Sequence, residues 1–120
     1  MARLPQLVTF IVDNELTVFS CNELIDELTN VLNREKFDKY LKQPVEDYID
    51  FHSDLTQFVD IELIFKDSPD IKDNYLFDLA LQYDAAYLIT GDKKLLAMET
   101  VESVQVISLA DFKEQLANAD

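Results

Sequence analysis

Two kinds of apolar pattern alternate along this chain, and that alternation limits the possible folds more than any other feature. Stretches with apolar residues three and four positions apart, typical of helices, are separated by short runs of β-branched and aromatic residues, typical of strands. Strands that alternate with helices favour a mostly parallel sheet, because each helix returns the chain to the start of the next strand. The sequence therefore predicts an α/β fold with helices on both faces of the sheet.

The individual elements follow from the same patterns. Helices are predicted at 5–14, 22–34, 44–58, 73–83, 93–98 and 109–118, with a short helical segment at 35–41. Strands are predicted at 16–20, 60–64, 86–90 and 104–107. The segment 65–72 contains turn residues and is expected to be a loop. Ser108 and Asp111 resemble a capping box, which indicates the start of the last helix.

Length and composition indicate one compact domain covering residues 1–120. About half of the residues are apolar, and eight Phe and five Tyr provide the bulk for a core. No apolar run approaches the ~18 residues of a membrane span, and residues 1–5 show no signal-peptide pattern. With one cysteine there is no internal disulfide to form. These features predict a cytoplasmic protein of bacterial type that does not enter a membrane.

The formal net charge of −14 bears directly on function. It is unfavourable for binding nucleic acid, because phosphate contacts normally need Lys and Arg. Two interpretations remain open. Either the acids form a solvated surface that keeps the protein in solution, or some of them surround divalent cations that would bridge to phosphate.

Three acids occupy positions where parallel sheets place their functional groups. Such groups lie beyond the carboxyl ends of the strands. Asp92 directly follows the strand predicted at 86–90, Asp73 begins a helix, and Glu27 lies on the helix after the first strand. Gly91 is expected to let the chain turn before Asp92. A parallel arrangement would bring the three carboxylates to the same edge of the sheet.

Each acid also has a purely structural interpretation. Glu27 lies on the flank of the apolar stripe of its helix and could simply be solvated there, whereas Glu23 and Asp26 fall nearly opposite the stripe and are expected in water. Asp73 and Asp92 could be plain helix caps, whose carboxylates accept backbone N–H bonds.

Other acids of the second half are less promising. Asp78 is expected to point away from the apolar side of its helix. Asp67 and Asp70 are expected to be solvated turn acids, with a smaller chance of joining the three carboxylates.

The chemistry open to such a cluster is metal-dependent. Converging carboxylates repel one another, and Mg²⁺ or Mn²⁺ relieves that repulsion because both prefer oxygen ligands. A bound cation can orient a water for attack on a phosphodiester. No Ser, Cys or His stands in a persuasive nucleophilic setting: His52 is expected to be a packed or half-exposed structural residue and Cys21 a small buried one. The single Gly excludes the glycine-rich nucleotide loops.

Three segments, 20–37, 72–81 and 85–96, are similar to motifs of the PIN domain family. In the first, a strand ends in Ser20 and a helix carries Glu27 followed by Leu, before a Lys-Phe pair. In the second, Asp73 precedes a helix. The third is the most specific, because it joins a strand, the turn from Thr90 to Asp92 and a double Leu in the family's order. The resemblance covers roughly residues 5–118 and is to the toxin branch of toxin–antitoxin systems.

The resemblance implies a three-layer α/β/α sandwich and an endoribonuclease that depends on Mg²⁺ or Mn²⁺. It assigns metal-binding and catalytic roles to Glu27, Asp73 and Asp92, and makes Thr90 a supporting hydroxyl. The expected partners are RNA and an antitoxin protein that blocks the site.

The chain departs from the family at its N-terminus. The family opens with a central strand that bears an Asp, whereas this sequence begins in what should be the following helix. Asp13 is no substitute, because it lies at the end of that helix. We expect a weakened metal site and exposed strand edges that seek a partner, which favours a homo-oligomer. A start codon placed too late, a decayed gene copy, and a strand supplied by another chain or by a rearranged sheet would each account for the difference.

Two functions compete, with a third less favoured. The first is a metal-dependent endoribonuclease, impaired by the missing Asp. The second is an inactive PIN fold that serves as an interaction or self-associating module. An unrelated α/β protein that binds a small ligand is less favoured, since no ligand motif is present.

Overall fold

The computed structural model describes residues 4–118, without the side chains of residues 4–6 and 37. The chain divides into two compact units, residues 1–60 and residues 61–120. Both mix helices with short strands, so each is described by itself.

Over residues 4–60, the first unit contains three α-helices, a 3₁₀ helix and one pair of parallel strands. Its elements are α1 (Leu4–Asp13), β1 (Phe19–Ser20), α2 (Asn22–Leu32), a 3₁₀ helix (Glu35–Tyr40), α3 (Val45–Leu55) and β2 (Gln57–Phe58). β1 pairs with β2, with Phe19 opposite Gln57 and Ser20 opposite Phe58. The helices form where the apolar periodicity predicts them, but each strand is only two residues long.

The second unit is built around a three-stranded sheet. Its elements are a 3₁₀ helix (Ile71–Asp73), α4 (Asn74–Gln82), β3 (Tyr87–Ile89), α5 (Lys93–Leu96), β4 (Thr100–Val101), β5 (Val104–Ile107) and α6 (Leu109–Ala117). The strand order is β3-β5-β4; β3 is parallel to β5 and β4 is antiparallel to it. The prediction of an α/β fold with mostly parallel strand pairing is therefore confirmed.

The core of the second unit joins α4 to the sheet. Phe77, Leu95 and Val106 form its centre. Phe65 stacks on Phe77 with 4.7 Å between ring centroids, and Phe112 of α6 meets Tyr87 of β3 edge-on. Such aromatic pairs add to the stabilisation that burial of apolar area provides.

The strand predicted at 60–64 is absent, because side chains of α4 take the hydrogen bonds that a neighbouring strand would have made. The carboxylate of Asp78 accepts the backbone N–H groups of Ile64 and Phe65 at 2.9–3.2 Å. The side-chain amide of Gln82 accepts from the N–H of Glu62 and donates to its carbonyl, at 2.9 and 2.7 Å. Asp78 was expected to point away from the apolar side of its helix and to be a less promising acid, yet the residue is only 3% exposed, because the segment that it binds covers it.

The strand β4 is an element that the sequence did not predict. It forms a hairpin with β5 in which Val101 lies opposite Val104. Glu102 of the turn has a φ of 52°, a left-handed conformation that usually favours Gly or Asn. Without those residues the turn carries no recognisable sequence signal.

Several aliphatic side chains of the second unit lie on the surface. Leu63, Ile64 and Ile71 are 71%, 61% and 82% exposed. The backbone next to the first two is held by α4, so they project from a fixed segment. Within residues 4–118 no helix is long and apolar enough to cross a membrane.

Candidate functional site

Asp92 lies in a turn that the end of β3 holds in place. The N–H of Thr90 donates to the carbonyl of Ile107 at 3.0 Å, which extends the pairing with β5. The Thr90 hydroxyl accepts the N–H of Asp92 at 3.1 Å, and Asp92 Oδ1 accepts the N–H of Lys94 at 2.8 Å. Asp92 thus caps α5 with one oxygen. Its other oxygen has no hydrogen bond among the described residues, and the side chain is exposed.

The surface beside Asp92 is open. A Cβ atom added to Gly91 would meet no atom within 4 Å. The chain turns at Gly91 as predicted, but its φ is not positive, so neither the backbone conformation nor the space around it requires a glycine.

Asp73 lies at the junction between the 3₁₀ helix Ile71–Asp73 and α4. It occupies the N-cap position of α4, but its side chain makes no capping hydrogen bond there, so the plain-cap interpretation is wrong for this residue. Asp70 caps the 3₁₀ turn instead, accepting the N–H of Lys72 at 3.0 Å. The Asp73 side chain is half-buried.

The two glutamates of α2 differ in their surroundings. Glu27 is exposed. Glu23, which the helical projection places in water, is half-buried, and its Oε2 atom is buried with no hydrogen-bond partner among the described residues. The projection was wrong because Glu23 lies in the first turn, where side chains lean back over the preceding chain.

Cys21 and Ser20 lie just before α2. Burial raises the pKa of the Cys21 thiol, and the nearby Glu23 carboxylate raises it further, against the lowering effect of the N–H groups of Leu24 and Glu23. Cys21 is buried, as predicted. The fully buried Ser20 shares a 2.8 Å hydrogen bond, Oγ to Nε2, with His52 of α3. Burial lowers the pKa of the half-buried His52, which favours its neutral form.

The donor set can be compared with what a hard cation requires. In the described part of the chain, no three His, Cys, Asp or Glu side chains form a group able to hold a metal ion. The candidate ligands are all carboxylates, the oxygen donors that Mg²⁺ and Mn²⁺ prefer. In chemical type, the residues fit a divalent metal.

Comparison with known families identifies the class of protein. A family model described as PIN domain matches residues 3–94, a range that includes Glu27, Asp73 and Asp92. The chain therefore belongs to the PIN domain family, whose fold is of the nuclease type and whose members generally bind divalent metals. No curated protein and no solved structure matches the chain.

Proposed function

We propose that this chain is a metal-dependent endoribonuclease in which Glu27, Asp73 and Asp92 bind Mg²⁺ or Mn²⁺. The observation that carries the proposal is the Asp92 turn of a PIN-family chain. It presents one uncommitted carboxylate oxygen beside an open surface, just beyond the carboxyl end of a parallel strand.

Each residue would contribute in a different way. Asp92 would hold the cation through Oδ2 while Oδ1 stays fixed by the Lys94 amide. Thr90 positions that carboxylate through the Asp92 amide. Asp73 brings a half-buried carboxylate that does not cap its helix. Glu27 completes the set by its place in the family motif.

The bound cation would neutralise charge that develops on the phosphodiester during cleavage. The three carboxylates would hold it, and the bound cation would offset part of their negative charge where RNA approaches. A net charge of −14 suits such bridging, since few cationic side chains are present to contact phosphate directly.

The biological setting follows the same proposal. We place the enzyme in the bacterial cytoplasm as the toxin of a toxin–antitoxin pair, where an antitoxin would control it by covering the acidic site. The support is the resemblance of segments 20–37 and 85–96 to that branch of the family.

Replacement of Asp92 tests the activity. We expect Asp92→Asn to reduce the rate of Mn²⁺-dependent cleavage of a mixed RNA oligonucleotide pool by about tenfold or more. Asp111→Asn is the matched control, because Asp111 is an exposed acid of the same unit and the charge change is identical. Equal cleavage by the wild type and Asp92→Asn would contradict the proposal.

A second candidate function is an inactive interaction module or a self-associating domain. The exposed aliphatic residues Leu63, Ile64 and Ile71 favour it, because each leaves apolar area that a partner chain could cover. Light scattering together with the cleavage assay distinguishes the two functions. A monomer with full nuclease activity excludes the interaction module, and an inactive oligomer supports it.

A further inference from the structure

Positive charge is distributed unevenly over the helices of this chain. Acids outnumber Lys and Arg by 24 to 10 in the whole sequence. In keeping with that excess, α1, α2, α3 and α4 contain no Lys or Arg, and α6 combines two acids with one Lys. The short helix α5 is different, because Lys93 and Lys94 are its only charged residues. Both directly follow Asp92, so the one purely basic α-helix of the described chain begins at the candidate site.

The backbone ties these two lysines to the Asp92 carboxylate. The N–H of Lys94 donates to Asp92 Oδ1 at 2.8 Å, and the N–H of Leu96 donates to the Asp92 carbonyl at 2.9 Å. Leu95 of the same helix is buried in the core of the second unit. Lys93 and Lys94 are exposed, and within residues 4–118 neither ammonium group forms an ion pair with a carboxylate. Two unpaired cations therefore extend from the same fixed turn as the candidate metal ligand.

The proposed metal site needs more positive charge than its own cation provides. Glu27, Asp73 and Asp92 together carry more negative charge than one divalent cation neutralises, so the loaded site would still repel a phosphodiester. Cationic side chains next to the cation would remove that repulsion. Lys is well suited to the task, because proteins commonly contact nucleic-acid phosphates through it.

We propose that Lys93 and Lys94 bind phosphates of the RNA strand next to the cation held by Asp92. The inference rests on the proposed function and deepens it, because it names protein groups that hold the substrate at that site. The contacts are to the RNA backbone, so they add affinity and fix the position of the strand without selecting a base sequence. They give an acidic chain one local surface that favours RNA.

The salt dependence of RNA binding tests this role. Fluorescence anisotropy of a labelled single-stranded RNA oligonucleotide would be measured in Mn²⁺ at several salt concentrations, with gels of the same samples to confirm that the RNA is intact. We expect Lys93→Gln and Lys94→Gln each to reduce the slope of log affinity against log salt by about 0.7, the contribution of one phosphate contact on a single strand. Lys113→Gln is the matched control, an exposed lysine of the same unit whose replacement should leave the slope unchanged.

Two further measurements distinguish phosphate binding from a purely structural role. The last turn of a helix favours cations, so a structural role for both lysines is to stabilise α5 itself. Isothermal titration of the double variant Lys93→Gln/Lys94→Gln should give a Mn²⁺ affinity at least equal to that of the wild type, because the loss of nearby positive charge favours a cation. The double variant Lys93→Arg/Lys94→Arg, which keeps both charges, should retain the RNA affinity and the salt slope of the wild type.

The outcomes separate the two proposals. If Asp92→Asn abolishes Mn²⁺-dependent cleavage while Lys93→Gln/Lys94→Gln keeps the RNA affinity and slope of the wild type, the nuclease proposal stands and the role of the lysines is refuted. A loss no larger than that of Lys113→Gln, or a loss of Mn²⁺ affinity in the double variant, refutes that role as well. If RNA binding depends on both lysines but no Mn²⁺-dependent cleavage occurs, the nuclease proposal fails and the phosphate contacts stand. If the wild type binds no RNA, both proposals fail.

Discussion

The two units bury their residues very unequally. In the described part of the first unit, only Ser20 and Cys21 are buried, and neither α2 nor α3 contains a buried residue. In the second unit, α4, α5, β5 and α6 all contribute buried residues: Tyr75, Phe77, Asp78, Leu79, Ala80, Leu95, Val104, Val106, Ile107 and Phe112. The difference indicates that most of the buried packing lies in the second unit. The same packing holds α4 and α5, the helices that begin beside Asp73 and Asp92.

The largest expected change in stability comes from a matched pair of phenylalanine truncations, one in each unit. Phe77→Ala removes a fully buried ring from the second core and should lower the free energy of unfolding by ~3–5 kcal/mol. Phe51→Ala changes a ring of α3 that is 38% exposed, and should lower it by less than about 1 kcal/mol. Urea unfolding measures both. Similar losses would show that the first unit is packed as firmly as the second.

A smaller loss of unfolding free energy is expected from a change in α4 where it binds the segment 61–65. Asp78→Asn leaves one acceptor oxygen for the N–H groups of Ile64 and Phe65, and turns an amide donor toward other donors. We expect a loss of ~1–3 kcal/mol, together with faster hydrogen exchange at Ile64 and Phe65. Asp111→Asn, an exposed change of equal charge, serves as the control. Unchanged exchange at those two amides would show that the carboxylate does not hold the segment.

The smallest effect concerns His52, whose bond to Ser20 links α3 to β1 in the first unit. Burial lowers its pKa below the ordinary 6.5, so the unfolded chain takes up the proton first. The contribution to stability is therefore complete above pH 6.5 and is lost as the pH falls toward the folded-state pKa. The wild type should lose more unfolding free energy than His52→Gln between about pH 7.5 and about pH 5.5. Equal losses would mean that His52 takes no part in the pH dependence.

Much of the fold could be predicted from local pattern. The helices α2 and α6 and the strand β5 lie within a residue or two of their predicted ranges, because each has a regular local apolar pattern and the last helix also has its capping serine. The strand predicted at 60–64 failed for a physical reason: two side chains, Asp78 and Gln82, replace the expected neighbouring strand. Sequence pattern does not show which backbone groups a distant side chain will bind.

The candidate site was predictable only in part. Asp92 was recognisable from its place after a strand. Its predicted alternative role as a helix cap is confirmed by its bond with the Lys94 N–H. The partial burial of Glu23 was not predicted, because a helical projection treats each turn as equivalent and ignores the chain that leads into the first one.

The exposed aliphatic residues and the large negative charge together govern how molecules of this protein meet in solution. In dilute salt, we expect mutual repulsion between chains of net charge −14 to oppose contact between Leu63, Ile64 and Ile71 of different molecules. At an ionic strength of about 0.15 M this repulsion is already screened beyond about 8 Å, and more salt shortens that reach further. Added salt therefore favours association through these side chains, so the protein is best kept at low ionic strength and concentrated salt is a suitable precipitant.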